Sequence, residues 1–99
     1  MAAIWTHAIY RVKPGCVDDF VQQWVELARH AVDEFGVRPP TMLRDRDDPN
    51  VLVTFGPWDS LDTLQLFRSS PLVRERTPVL DELVETAEAD IFDEVLLGG

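Results

Sequence analysis

Ninety-nine residues are enough for a single domain, 1–99, and a composition of 45% hydrophobic and 27% charged residues excludes a disordered, collagen-like or disulfide-built chain. Nine basic against 18 acidic residues give a formal charge of −9, so the cationic face that nucleic acid or an anionic membrane would require is missing, and neither is expected as a partner. The lone Cys16 cannot close an internal disulfide and fits a reducing cytoplasm, the start "MAAIWTHAIYR" carries no signal-peptide pattern, and no apolar run approaches the ~20 residues of a membrane span.

In chain order, Ile4 to Val12 is aromatic and β-branched and stops at "KPG", which reads as a strand followed by a turn. From Val17 the apolar residues Phe20, Val21, Trp24, Leu27, Ala28, Ala31 and Phe35 recur at helical spacing. Asp18 and Asp19 suit the positive end of that helix, and Gly36 ends it. Pro39-Pro40 removes two backbone donors and should delay the next strand until about Thr41. "TMLRDR" and "NVLVTF" flank the turn "DDPN" as a hairpin, with Gly56-Pro57 ending its second strand. Asp59 or Ser60 then caps a short helix to about Arg68. "SSP" opens another helix with Leu72, Val73, Val79, Leu80, Leu83, Val84 and Ala87 on one face. Pro78 inside it should kink or restart the helix. "ADIFDEVLL" reads as a closing strand. The order βαββαβ implies a ferredoxin-like α+β fold, a mostly antiparallel four-stranded sheet with its helices on one face.

The strands are apolar on both sides. In the first, Ile4, Ala8, Tyr10 and Val12 oppose Trp5 and Ile9; in the third, Val51, Val53 and Phe55 oppose Leu52; in the last, Ile91, Val95 and Leu97 oppose Phe92 and Leu96. Helices cover one face of a sheet, and the other would expose an apolar patch too large for a lone domain. The same face of a second copy is the economical cover, so a homodimer is expected.

"YRVKPGCVDDFVQQW", "LRDRDDPNVLVTFGPWDSLD" and "FRSSPLVRER" together resemble the antibiotic biosynthesis monooxygenase (ABM) domain family over nearly the whole chain. The resemblance implies a dimeric α+β barrel, with a ligand pocket between sheet and helices in each subunit. Among the activities it implies are cofactor-free oxygenation of aromatic polyketides, quinol oxidation and haem degradation. The haem-degrading branch uses a histidine on the helix after the hairpin, a tryptophan about ten residues before it and an asparagine on the first strand. The matching positions here hold Thr77, Phe67 and Ala8 or His7, so the iron ligand is replaced and haem degradation is not expected.

His7 shares its strand face with Trp5 and Ile9. It is either a core or interface histidine or a general base. His30 points about 140° from the apolar stripe of its helix and should lie on the surface. Arg76 falls within the stripe of its own helix. It is either ion-paired or a cation facing the pocket, ready to hold an enolate or phenolate oxygen. Arg44 and Arg68 are weaker forms of the same idea. Trp58 reads as a plug under the next helix beside Leu61 and Leu64, and Trp24 as core. Trp5, Phe67, Arg44 and Leu64 are the candidate ligand contacts. Cys16 has no partner base, and "DRDDPN" lacks the glycine and closing glutamate of a calcium loop.

With no metal spacing, phosphate loop or dinucleotide fingerprint in view, no cofactor is expected. The enzyme reading is a cofactor-independent monooxygenase. Its phenol or quinol substrate would lose a proton, and the anion would donate an electron to O₂, with His7 as base and Arg76 as stabilising cation. The alternative is a non-catalytic dimer that binds a small apolar molecule or assists a neighbouring enzyme, and it is favoured if His7 and Arg76 both point away from a cavity.

Overall fold

The computed structural model describes residues 4–95. Strand β1 (Ile4–Val12) is followed by helix α1 (Val17–Phe35), strands β2 (Thr41–Arg44) and β3 (Val51–Trp58), helices α2 (Leu61–Arg68) and α3 (Pro71–Leu83), and strand β4 (Val84–Asp93). The sheet order is β2-β3-β1-β4, with every neighbouring pair antiparallel. This is the expected ferredoxin-like α+β arrangement, with β1 and β3 central. Leu96 and Leu97, expected to continue the last strand, lie outside the described residues.

Local chemistry sets most boundaries. α1 ends because Gly36 adopts the left-handed conformation (φ 67°) and returns its N–H to the Val32 carbonyl. β2 begins at Thr41, directly after Pro39-Pro40. In the hairpin turn, Asp45 Oδ1 accepts from the Asp47 and Asp48 amides, and Asp48 Oδ1 accepts from that of Asn50, so the acidic run is a set of Asx turns. Of the two candidate caps for α2, Ser60 does the work: its Oγ accepts the Thr63 N–H at 3.1 Å. Ser60→Ala is therefore expected to cost about 1 kcal/mol, read as a lower urea midpoint with an unchanged m-value.

Two boundaries differ from the expectations. β3 continues through Gly56-Pro57 to Trp58, with Pro57 opposite Trp5. β2 no longer flanks β3 there, and an edge position tolerates a missing N–H. α3 stops at Leu83, and Val84 to Asp93 is strand, so Val84 and Ala87 do not extend the helix. The Lys13 N–H bonds the Leu83 carbonyl at 2.9 Å, tying the end of α3 to the end of β1, and the ladder to β1 then takes over, with one irregularity at Arg11/Val12. Of the two outcomes expected at Pro78, a restart is excluded, because α3 runs through it as one helix. The carbonyl deprived of its partner belongs to Arg74, an exposed position where water can satisfy it.

All three helices are amphipathic, and α1 buries Phe20, Leu27 and Ala31. Two core clusters result. Val12, Phe20 and Leu52 form one, packed by Tyr10, Trp24 and Leu80; Ala31, Val37, Trp58 and Leu64 form the other, packed by Ile4, Phe35 and Phe67. The register places Trp5, His7, Ile9, Val53, Phe55 and Phe92 on the opposite side of the sheet. Among the described residues no element covers that side, and Phe55 and Phe92 are 37% and 52% exposed.

Candidate functional site

Between the two clusters the sheet and helices do not meet. Strand alternation turns Thr6, Ala8 and Tyr10 of β1, and Thr54, Gly56 and Trp58 of β3, toward the helices. Ala8 sits between Thr54 and Ala89 in register, and Thr6 lies beside Gly56. α1 presents Ala28 and Ala31 above this floor. Small side chains on both layers leave a cavity of about 440 Å³, within the roughly 300–1,000 Å³ of small-molecule sites. Gly56 keeps the floor low, since a Cβ there would stand 3.0 Å from Thr6 Oγ1.

The lining is mostly apolar and aromatic. Phe67 and Trp58 pack at 5.1 Å between centroids, tilted by 48°, at one end, with Leu64 beside them. Trp58 is the expected plug, 6% exposed, and it also walls the cavity. Its indole N–H donates to Thr6 Oγ1, which donates to the Gly56 carbonyl, so these buried polar atoms are paired. The other end holds Tyr10, Trp24 and Thr54, with Arg68 and Asp81 at the margin. Burial pushes the Tyr10 hydroxyl above its ordinary pKa; the nearby polar groups of Trp24 and Thr54 and the positive charge of Arg68 offset part of this, while Asp81 adds to it.

The sequence-derived candidates are divided by the sheet. Phe67 and Leu64 line the cavity. His7 touches it, but strand alternation puts its ring on the far face, 4.9 Å from Phe55 and 5.9 Å from Phe92. Trp5 is on that far face too: its indole N–H donates to Glu94 at 2.7 Å, and the Arg38 guanidinium lies over its ring. Arg76 is outside the cavity lining, where Glu26 and Gln23 of α1 hold its guanidinium, the ion-paired alternative. Arg44 borders a separate shallow depression with Asp18 and Asn50. His30 is not the free surface residue expected: its ring packs on Phe35 and Phe67, and its Nε2 meets Ser70 Oγ at 3.2 Å.

Tyr10, Trp24, Thr54 and Asp81 were not among the site candidates. A signal for Tyr10 existed, because a tyrosine on a strand face shared with Ile4, Thr6, Ala8 and Val12 needs a partner for its hydroxyl.

Of the positions matched to the haem-degrading pattern, Ala8, Phe67 and Thr77 bring a methyl, a phenyl and a hydroxyl to the cavity, while the ring of His7, the alternative to Ala8, packs against Phe55 and Phe92 on the far face. Thr77 Oγ1 is committed to the Val73 carbonyl, and the raised pKa of Tyr10 opposes a tyrosinate ligand. This donor set does not fit haem. Among the described residues no group of His, Cys, Asp and Glu could hold a metal ion, and no helix is long and apolar enough to cross a membrane.

No curated protein matches the chain. Among solved structures, a conserved protein from Methanosarcina mazei Go1 superposes with TM-score 0.84 at 25% identity, over 93% of this chain and 92% of that one. A variant of SnoaB, a cofactor-independent oxygenase from Streptomyces nogalater, superposes with TM-score 0.84 at 21% identity, over 98% and 95%. A Pseudomonas aeruginosa protein gives 0.83 at 14%, over 97% of each chain. The family model for antibiotic biosynthesis monooxygenase matches residues 4–76, most of the chain. With that match and a ferredoxin-like sheet that holds a cavity under its helices, this chain belongs to the antibiotic biosynthesis monooxygenase (ABM) family.

Proposed function

We propose that the cavity binds an electron-rich hydroxylated aromatic and oxidises it with O₂ without a cofactor. One observation carries this reading: a small-residue cavity with a packed pair of aromatics at one end and a polar, charged cluster at the other. Family membership and the likeness to SnoaB support it. For an anthrone-type substrate, Asp81 or water takes a proton and leaves a delocalised anion. That anion passes one electron to O₂, and the radical and superoxide join to a peroxide anion, which takes the proton back as a hydroperoxide and loses water to give the quinone. Overall, anthrone plus O₂ yields anthraquinone plus water. The chain's part is to exclude water, orient the ring against Phe67 and Trp58, and stabilise the developing oxyanion with Arg68 in place of the ion-paired Arg76.

The working unit in this reading is a homodimer formed through the open sheet face, in the reducing cytoplasm that the lone Cys16 suggests. The single domain spans 1–99 and has neither nucleic acid nor membrane as partner. A non-catalytic dimer that binds the same class of molecule is the second reading, favoured by the placement of His7 and Arg76 away from the cavity.

The test is O₂ consumption with a panel of anthrones and hydroquinones, with products identified by mass spectrometry. Ala8→Leu fills the floor and is expected to cut turnover at least about tenfold while the fold persists, because a leucine occupies space the substrate needs. His7→Ala and Arg76→Ala are expected to keep most of the activity. Turnover insensitive to Ala8→Leu rejects this cavity as the site, and ligand binding with no O₂ uptake selects the second reading.

A further inference from the structure

The geometry points to the Tyr10 hydroxyl as the donor that binds a hydroxylated aromatic as its anion, oxygen toward Tyr10 and ring toward Trp58 and Phe67. The inference rests on the proposed cavity reading and adds the substrate's orientation and ionisation state. Tyr10 is the large polar side chain that rises from a floor otherwise made of Ala8, Ala89, Gly56 and two threonines. Its ring is fixed against Phe20, 4.9 Å between centroids and tilted by 54°, and Phe20 itself is fully buried. A side chain held by the core keeps its hydroxyl in place without a ligand, so little ordering is needed on binding.

The neighbours of that hydroxyl determine what it can offer. Trp24 shares the cavity lining, and an indole N–H only donates, so it makes no claim on the Tyr10 proton. The Thr54 hydroxyl, also in the lining, can rotate to act as a donor, so neither neighbour requires the tyrosine proton that an anion would accept. Desolvation keeps Tyr10 protonated through the neutral range, so it adds no negative charge beside a bound phenolate. Arg68 favours negative charge at the same oxygen, and Asp81 opposes it. The ligand class follows: a flat aromatic with one ionisable hydroxyl at an edge and an apolar remainder.

The probe is 4-nitro-1-naphthol, whose anion is visible in absorbance, set against its methyl ether, which cannot ionise. Bound to the full chain, the naphthol is expected to ionise at lower pH than in free solution. Tyr10→Phe is expected to reduce the preference for anion over neutral form by about tenfold or more, the worth of a hydrogen bond to a charged group. Methyl ether affinity should change less than about twofold, since the ring's contacts remain. A midpoint unmoved by Tyr10→Phe while the probe still binds overturns the Tyr10 assignment and leaves the cavity reading standing. Failure of both compounds to bind the unmodified chain overturns both. If Tyr10→Phe does not fold, 3-fluorotyrosine at position 10, the one tyrosine of the sequence and a stronger donor, should lower the midpoint further, and an unmoved midpoint overturns the inference.

Discussion

Phe20→Ala is expected to lower the free energy of unfolding by about 3–5 kcal/mol, the usual cost of emptying a buried phenylalanine site. Phe20 has no exposed surface and joins α1 to the sheet through Val12 and Leu52. Tyr10 and Trp24, which pack against this cluster, also line the cavity of about 440 Å³, so the loss of Phe20 loosens the cavity wall as well. At roughly 4–8 °C per kcal/mol for a domain of this size, the thermal midpoint should fall by about 12–40 °C. Urea and thermal melts followed by circular dichroism measure it, and a loss under about 1 kcal/mol would mean that Phe20 is not the joint between helix and sheet. The same substitution removes the support of Tyr10, so naphtholate binding should weaken even where the variant is folded.

The second large effect concerns the face that the helices leave open. Phe55 and Phe92 flank the His7 ring there, with Leu43 52% exposed nearby and Trp5, Ile9 and Val53 between. In the proposed two-fold dimer each residue occurs twice, so a double substitution Phe55→Glu with Phe92→Glu places four charges in one apolar interface. Aromatic anchors at an interface are worth about 2 kcal/mol or more each, and every 1.4 kcal/mol is tenfold in affinity. The dissociation constant should therefore rise by roughly a thousandfold or more. Sedimentation at micromolar concentration is expected to give a dimer for the unmodified chain and a monomer, with retained circular dichroism, for the double variant. Unmodified protein sedimenting as one chain would refute the dimer.

Where a signal is local, the sequence carried it. The apolar repeat of α1 and the glycine after it set one helix and its end; Pro39-Pro40 set where β2 begins; "SSP" set the start of α3. Local signals misled where a neighbouring strand competes. Leu83, Val84 and Ala87 carry a helical spacing, yet the bond from Lys13 to the Leu83 carbonyl and the ladder to β1 make Val84 onward a strand. Gly56-Pro57 reads as a stop, yet β1 carries the pairing past it.

For the site, the divide is sharper. Phe67 and Leu64 were legible because they lie on the inward face of a short amphipathic helix. His7 and Arg76 were chosen by residue type, and their surroundings decide otherwise: a sheet is opaque, so one residue of strand register separates the His7 ring from the cavity that Tyr10 enters.

By itself, then, the sequence determined the α+β class, the order of the elements and the two-sided apolar strands, because each depends on periodicity and turn chemistry within a few neighbouring residues. The tertiary structure alone decided that there is a cavity and which groups reach it. Ala8, Gly56, Ala89, Ala28 and Ala31 come from four different elements, and the empty space over them arises only when strand register and helix packing stack small side chains on small ones.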